Sequence, residues 1–372
     1  MPENRLKTIM RASITAIIVN AALAVFKAIV GILTNSIAIT MDAVNNFTDA
    51  GSSLITMISS YLAAKDPDKK HPFGYGRLEY LGTLVIAGLI LYAGVTALVE
   101  SVKQIINPGE AEYTAVSLFI IAVAVLGKFL LMIYTTNVGK KTNSDSLIAA
   151  GKEAIGDVLV SLATLVAAFI FILFHVSVEA YLGALISILI IKSGVEILQE
   201  TIGKILGTAG DVMLLKDIKK TITSYDGIHG AYDVVLHNYG PDTYLASAHV
   251  EVNDTMTVND FDIITRKIQE EVFDKHGVFL TALGVYSINT QDEEIIRVRE
   301  DVKSIAVSNP MVRQLHGFYM DSEKKYMRFD LVISFDAKDR TEVYNSVLAE
   351  VKERYPDYEV SAGMDTDYNE LS

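Results

Sequence analysis

A bundle of six transmembrane helices followed by two tandem α+β domains is the fold class this sequence predicts, on three observations. Apolar stretches of about 20 residues or more recur six times before residue 203, each long enough to span about 30 Å of hydrocarbon. Charge divides the chain: residues 1–207 carry 15 Lys+Arg and 15 Asp+Glu, whereas 208–372 carry 17 and 30, and so hold the whole net charge of −13. From about 208 the periodicity changes to short alternating strands between helices, in an order that occurs twice. The predicted domains are therefore 1–207, 208–290 and 291–372.

The six spans are placed at 10–33, 37–63, 78–104, 113–137, 145–174 and 178–202. The first is too long for a signal peptide, lacks a small-residue cleavage site and runs straight into the second. Short links such as Thr34-Asn35-Ser36 and Asn107-Pro108-Gly109-Glu110 make sequential helices antiparallel neighbours. Basic residues lie before the first span (Arg5, Lys7, Arg11), between the second and third (Lys69, Lys70, Arg77), between the fourth and fifth (Lys140, Lys141) and after the sixth (Lys204). The other three loops contain only Glu110, Glu112 and Glu179. The positive-inside rule then places both termini in the cytoplasm, in a multi-pass protein of the cell membrane (plasma or inner).

Composition narrows the function further. The 372 residues include no Cys, which excludes disulfides, thiolate metal sites and thiol catalysis. The acidic C-terminal half argues against a nucleic-acid partner and is compatible with cations nearby. No nucleophile–His–acid set or phosphate loop is found, so an enzyme is not expected.

Inside the apolar spans stand two pairs of oxygen-bearing side chains, Asn45 with Asp49 and Glu153 with Asp157. Each pair is spaced i, i+4, on one face of its helix. A carboxylate in a bilayer costs at least ~2.5–3.5 kcal/mol on insertion scales, so three of them point to a functional site facing the bundle interior. Four oxygen donors from two helices suit a hard divalent cation. The alternative, interhelical hydrogen bonding alone, would leave three carboxylates without an obvious internal Arg partner; for Asn46 it holds equally well. Asp42 joins the stripe of the second helix, where it caps, positions or ligates. Lys27 is expected to snorkel toward an interface, Lys152 points away from Glu153, and Asn20 has no assigned role.

Past residue 208, a helix at 211–224, strands at 232–236 and 244–252, a helix at 258–275 and a strand at 278–288 form one α-β-β-α-β set. A second follows: helix 291–307, strands 313–320 and 325–335, helix 339–354 and strand 356–363. Gly227-Ile228 aligns with Met311-Val312 at an offset of 84. Such self-similarity implies two copies of one small domain, with the topology of a ferredoxin-like split βαβ fold.

Two motifs carry a family resemblance. The loop His71-Pro72-Phe73-Gly74-Tyr75-Gly76-Arg77-Leu78-Glu79 and the second-helix stretch from Ser36 to Asp49, in register with six spans, resemble the cation diffusion facilitators, which are metal/proton antiporters. The resemblance covers about residues 10–290 and implies a transport site of Asn45, Asp49, Glu153 and Asp157. It also implies a divalent metal as substrate, protons as counter-substrate, no tightly bound cofactor, and a homodimer in the bilayer. Zinc-carrying members supply a His to that site; here there is none. The all-oxygen set resembles the manganese-exporting branch, although Glu153 reaches one methylene further than the Asp also seen there. The expected function is proton-coupled efflux of Mn²⁺, with Zn²⁺ or Fe²⁺ export, another cation such as Na⁺, or a membrane-anchored metal sensor as alternatives.

Two further family sites are matched in part. Asp68 and His71 match a site in the loop after the second helix, but its third ligand falls on Tyr75, so the loop is expected to organise a turn. His249 matches a ligand of the family's C-terminal domain, while its partners fall on Ser287 and Asn289. A solvated His249 is the expectation, and metal binding there the alternative.

Overall fold

The computed structural model describes residues 3–33, 37–107, 115–174, 178–207, 212–241 and 243–365. The chain divides into two compact units, Met1–Thr208 with Tyr239–Asp242, and Ala209–Asn238 with Thr243–Ser372.

The first unit consists of long helices: α1 (Glu3–Leu33), α2 (Ile37–Ala63), α3 (Leu78–Ile106), α4 (Ala115–Thr142), α5 (Asp145–Phe174) and α6 (Glu179–Leu206). Among the described residues, α1, α3, α4, α5 and α6 are long and apolar enough to cross a membrane. Helix α2 has the length but carries a polar face on which Asn46, Ser52, Ser53, Thr56, Ser59 and Ser60 are buried. Large apolar side chains such as Ile18, Tyr92, Leu130, Phe169 and Leu185 are exposed around the unit, the outside-apolar distribution of a body that lies in lipid.

Helix α1 packs on α2 and α4, α3 on α6, and α4 on α5. Small residues set these approaches, since lipid supplies no hydrophobic drive between helices. A Cβ on Gly82 would overlap Ser59, bringing α3 onto α2. One on Gly151 would overlap Thr136 Oγ1 and lie 3.3 Å from the Thr136 amide nitrogen, bringing α5 onto α4. Gly151→Val is expected to lower the thermal midpoint of the detergent-purified protein, because a β-branched side chain there meets backbone and costs ~1–3 kcal/mol of overpacking. An unchanged midpoint would contradict this helix contact.

Helix α1 begins before the expected span and takes up Arg5. Its guanidinium reaches the carbonyls of Thr142 (2.5 Å) and Asn143 (2.9 Å) and the Glu79 carboxylate (3.2 Å). Glu79, 0% exposed, also accepts from Ser144. Arg5 thus ties α1 to the start of α3 and to the α4–α5 turn, beyond its part in the topology signal.

The second unit contains α7 (Val212–Thr223), β1 (Ile228–Asn238), β2 (Tyr244–Asn253), α8 (Val258–His276), β3 (Val278–Ile288), α9 (Glu293–Ser308), β4 (Val312–Asp321), β5 (Tyr326–Ile333), α10 (Arg340–Arg354) and β6 (Glu359–Asp365). Two three-stranded sheets result, β1-β2-β3 and β4-β5-β6. In each, the first two strands are antiparallel and the last two are parallel and adjacent. The crossover is therefore a plain βαβ, which corrects the expected split βαβ: no strand separates the parallel pair.

Alternation buries one face of each sheet. Ala246, Ala248, Val250 and Val252 of β2 meet Ile218, Ile222, Ile268 and Val272 of α7 and α8. Met327, Phe329, Leu331 and Ile333 of β5 meet Val298, Val302, Val347 and Val351 of α9 and α10. Side-chain caps set the helix starts: Thr257 accepts from the Asp260 amide, Asp292 from Glu294 and Ile295, and Asp339 from Thr341 and Glu342. The Asp292 cap explains why α9 starts two residues later than its apolar pattern alone implies.

Candidate metal centre in the helical unit

The i, i+4 spacing on α5 turns Glu153 and Asp157 to one side, and the polar face of α2 brings Asp49 against them. The three carboxylates line a cavity of about 260 Å³, closed by Ile90, Ala93, Leu189, Ile190 and Ser193 of α3 and α6. Ser52 Oγ, nearly a full turn beyond Asp49 on α2, donates to Glu153 Oε1 at 3.0 Å.

A cation from α4 completes the group. Lys128 Nζ lies 2.5 Å from Asp49 Oδ2 and 2.8 Å from Asp157 Oδ2, with its side chain 6% exposed. An ammonium here compensates two carboxylates that would otherwise be costly so far from water. It bridges α2 and α5 from α4. Asn20 of α1 lines the same space with Asp49, Lys128, Glu153 and Asp157. Its amide Oδ1 is buried with no hydrogen-bond donor.

Asp49, Glu153 and Asp157 are thus brought together, whereas Asn45 is exposed and does not line the cavity. It sits a turn before Asp49 along α2. The Asp42 side chain lies outside the described residues. Lys27 is 3% exposed, so the expectation that it snorkels is corrected: α2 and α4 pack over α1 and enclose it. Lys152 lines the cavity after all.

Sequence reasoning, which noted only that the carboxylates lack an obvious internal Arg partner, missed Lys128 because residue numbers do not tell which face of α4 meets them. The signal was present as a lone lysine in the apolar run Leu126-Gly127-Lys128-Phe129-Leu130, and an intramembrane ionisable residue is a functional hypothesis by default.

Outside the helices, Asp68 accepts from the Tyr75 hydroxyl (2.6 Å) and from the amides of His71 (2.8 Å) and Lys70 (2.9 Å). The Tyr75 hydroxyl first, then the His71 amide, holds the Asp68 carboxyl below the usual carboxylate range. His71 Nδ1 is 3.5 Å from Asp68 and its ring lies against Tyr75. These contacts order a turn. His249 sits on β2 in the second unit, with Nδ1 2.9 Å from Asp233.

A body of apolar helices with carboxylates gathered inside it defines a membrane protein that handles cations. Residues 13–206 match the cation efflux transmembrane domain, and residues 212–282 match the cytoplasmic domain of cation efflux proteins. The chain belongs to the cation efflux family, whose members are transporters.

It is 27% identical over 277 residues to a cadmium, cobalt and zinc/H(+)-K(+) antiporter of Bacillus velezensis, an alignment spanning 73% of this chain and 87% of that protein. It is 23% identical over 280 residues to the manganese efflux system protein MneP of Bacillus subtilis, spanning 73% and 93%. It is also 27% identical over 261 residues to the magnetosome protein MamB of a Magnetospira species, spanning 69% and 89%.

Proposed function

We propose that this protein exports Mn²⁺ from the cytoplasm in exchange for protons, using Asp49, Glu153 and Asp157 as the metal site. The observation that carries the reading is the donor set: three carboxylates around one cavity, with no imidazole among its lining residues. Carboxylate, carbonyl and water ligands suit Mn²⁺, whereas Zn²⁺ prefers imidazole and thiolate. Similarity to MneP supports the same ion, and similarity to the cadmium, cobalt and zinc antiporter keeps Zn²⁺ as the second reading.

The fourth donor is an amide. Asn45 is the one the family pattern implies, and it joins the site when α2 turns toward α5. Asn20 already presents a buried amide oxygen beside the carboxylates. Metal binding needs deprotonated carboxylates, so protons delivered from the far side release the ion. Lys128 holds Asp49 and Asp157 together between metal ions, and alternating access rocks the helices about this site.

All six helices, α2 included, span the cell membrane in this proposal, with both termini cytoplasmic as the basic loops imply. The domains fall at 1–207, 208–290 and 291–372, and the C-terminal half dimerises, in keeping with its match to the family's cytoplasmic domain.

Purified protein in inside-out vesicles with a pH gradient tests the reading. Mn²⁺ uptake driven by the gradient and abolished by a protonophore is expected. Faster Zn²⁺ than Mn²⁺ uptake would overturn the metal assignment, and no flux of Mn²⁺, Zn²⁺ or Fe²⁺ would favour a membrane-anchored sensor.

A further inference from the structure

The two halves of the second unit meet around ionisable side chains that the helical site does not involve. Asp233 comes from β1, His316 from β4 and Asp365 from the end of β6, and one ligand-type atom from each lies within 4.8 Å of the others. His316 Nε2 stands 3.1 Å from Asp233 Oδ1 and 3.4 Å from Asp365 Oδ2. The His316 side chain is 1% exposed. Its Nε2 and the facing Asp233 Oδ1 are buried and meet as an ion pair without well-aligned hydrogen-bond geometry. Buried polar groups are almost always hydrogen-bonded. One imidazole and two carboxylates whose ligand atoms converge on one point, in poor alignment for hydrogen bonds to one another, have the arrangement of ligands around a shared third partner.

The backbone is shaped for this convergence. Strand β1 bulges between Tyr232 and Val235, and β4 bulges between His316 and Tyr319, 84 residues further on. Bulges re-aim side chains. Asp233 takes φ 52, a left-handed conformation that residues other than glycine seldom adopt. The matching bulges make Tyr232 and His316 equivalent positions, and their rings stack at 4.7 Å with 13° between planes. The equivalent positions of the two halves therefore meet at this point.

Outer contacts orient the donors. Tyr286 donates to Asp233 Oδ2 at 2.7 Å, and its ring stacks on His249 at 4.7 Å. His249 Nδ1, also buried, is 2.9 Å from Asp233 Oδ2. A ligating carboxylate held by such a second contact is characteristic of metal sites.

We propose that Asp233, His316 and Asp365 bind a divalent first-row transition metal between the two halves, with His249 and Tyr286 orienting Asp233. One imidazole with two carboxylates suits Mn²⁺, Fe²⁺ or Zn²⁺ better than Mg²⁺ or Ca²⁺, which take oxygen alone. His316 and Asp365 lie beyond the segment that matches the family's cytoplasmic domain, residues 212–282. The second half of the unit is therefore what completes the site. The metal would clamp the two halves of the unit together.

The test counts ions bound to the full-length protein in detergent, in an Asp49→Asn/Lys128→Met/Asp157→Asn background that removes two helical carboxylates together with the cation they compensate. Equilibrium dialysis against Mn²⁺ or Zn²⁺, with elemental analysis, is expected to find about one ion per chain, bound at least about tenfold more weakly in His316→Gln and in Asp365→Asn. Added metal is expected to raise the thermal midpoint of the background protein and not that of either variant. Should His316→Gln fail to fold, the partly exposed Asp365→Asn decides. Equal metal binding by background and variants overturns the site, even if a variant is less stable, because the cluster would then be an ion pair alone. Failure of the background to retain any ion overturns it too, whatever the flux measurements give.

Discussion

Asp157→Ala is expected to abolish metal flux in reconstituted vesicles, and Lys128→Met to bind metal more tightly than the parent while transporting it more slowly. Both expectations come from one geometry, in which the Lys128 ammonium is within 2.8 Å of a carboxylate on α2 and another on α5. Removing Asp157 takes away a ligand and leaves the buried ammonium half-compensated. Breaking one partner of a buried pair costs about 3–5 kcal/mol, or roughly a hundredfold to a few thousandfold in an equilibrium. Asp49→Ala follows the same logic, with a larger effect on folding because Asp49 is the more buried partner.

Lys128→Met removes the competitor for Asp49 and Asp157. The metal-free state then holds uncompensated carboxylates and is destabilised, so metal restores stability and binds more tightly, by at least about tenfold for each 1.4 kcal/mol. Release slows for the same reason. Thermal midpoints with and without Mn²⁺ read this directly: a larger metal-induced rise in Lys128→Met than in the parent is expected. Equal rises would mean that the lysine does not compete with the ion.

Phe329→Ala is expected to cost about 3–5 kcal/mol, the usual range for a fully buried aromatic. Phe329 is 0% exposed at the centre of β5, between Met327 and Leu331, and faces Val302 of α9 and Val351 of α10. Domains of this size are stable by only about 5–15 kcal/mol, so a large share of the stability of this half goes. The midpoint should fall by ~4–8 °C per kcal/mol if the half unfolds as a small unit. Denaturant titration followed by tyrosine fluorescence would check it. A loss below about 1 kcal/mol would show that β4-β5-β6 lacks a cooperative core.

Much of this architecture was legible in the residues. Helix lengths and apolar runs located all six long helices within a few residues, and the 84-residue offset located the second set of strands. The pairs Asn45/Asp49 and Glu153/Asp157 were found because helical spacing is a local property that residue numbers encode. Boundaries were less exact: α1 starts at Glu3 and β1 is extended at both ends across its bulge.

Contacts between elements were not legible. Lys128 lies 79 residues from Asp49 and 29 from Asp157, and only the packing of α4 between those carboxylates makes them partners. Asn20 and Lys27 depended in the same way on which face α1 turns inward, and Asn45 on which part of α2 its neighbours cover. In the second unit the sequence marked His249 alone. Asp233, His316 and Asp365 converge only because two bulged strands and the last residue of a third meet across the two halves.

The sequence by itself determined the helices, the strands, the acidic and apolar division of the chain, and the three carboxylates within the apolar helical half, since periodicity and burial cost act over a few residues. Tertiary structure alone decided that a lysine bridges those carboxylates and that a histidine and two aspartates close on one point. Charges held at 3 Å across separate elements are set by packing and register, which no local pattern of residues specifies.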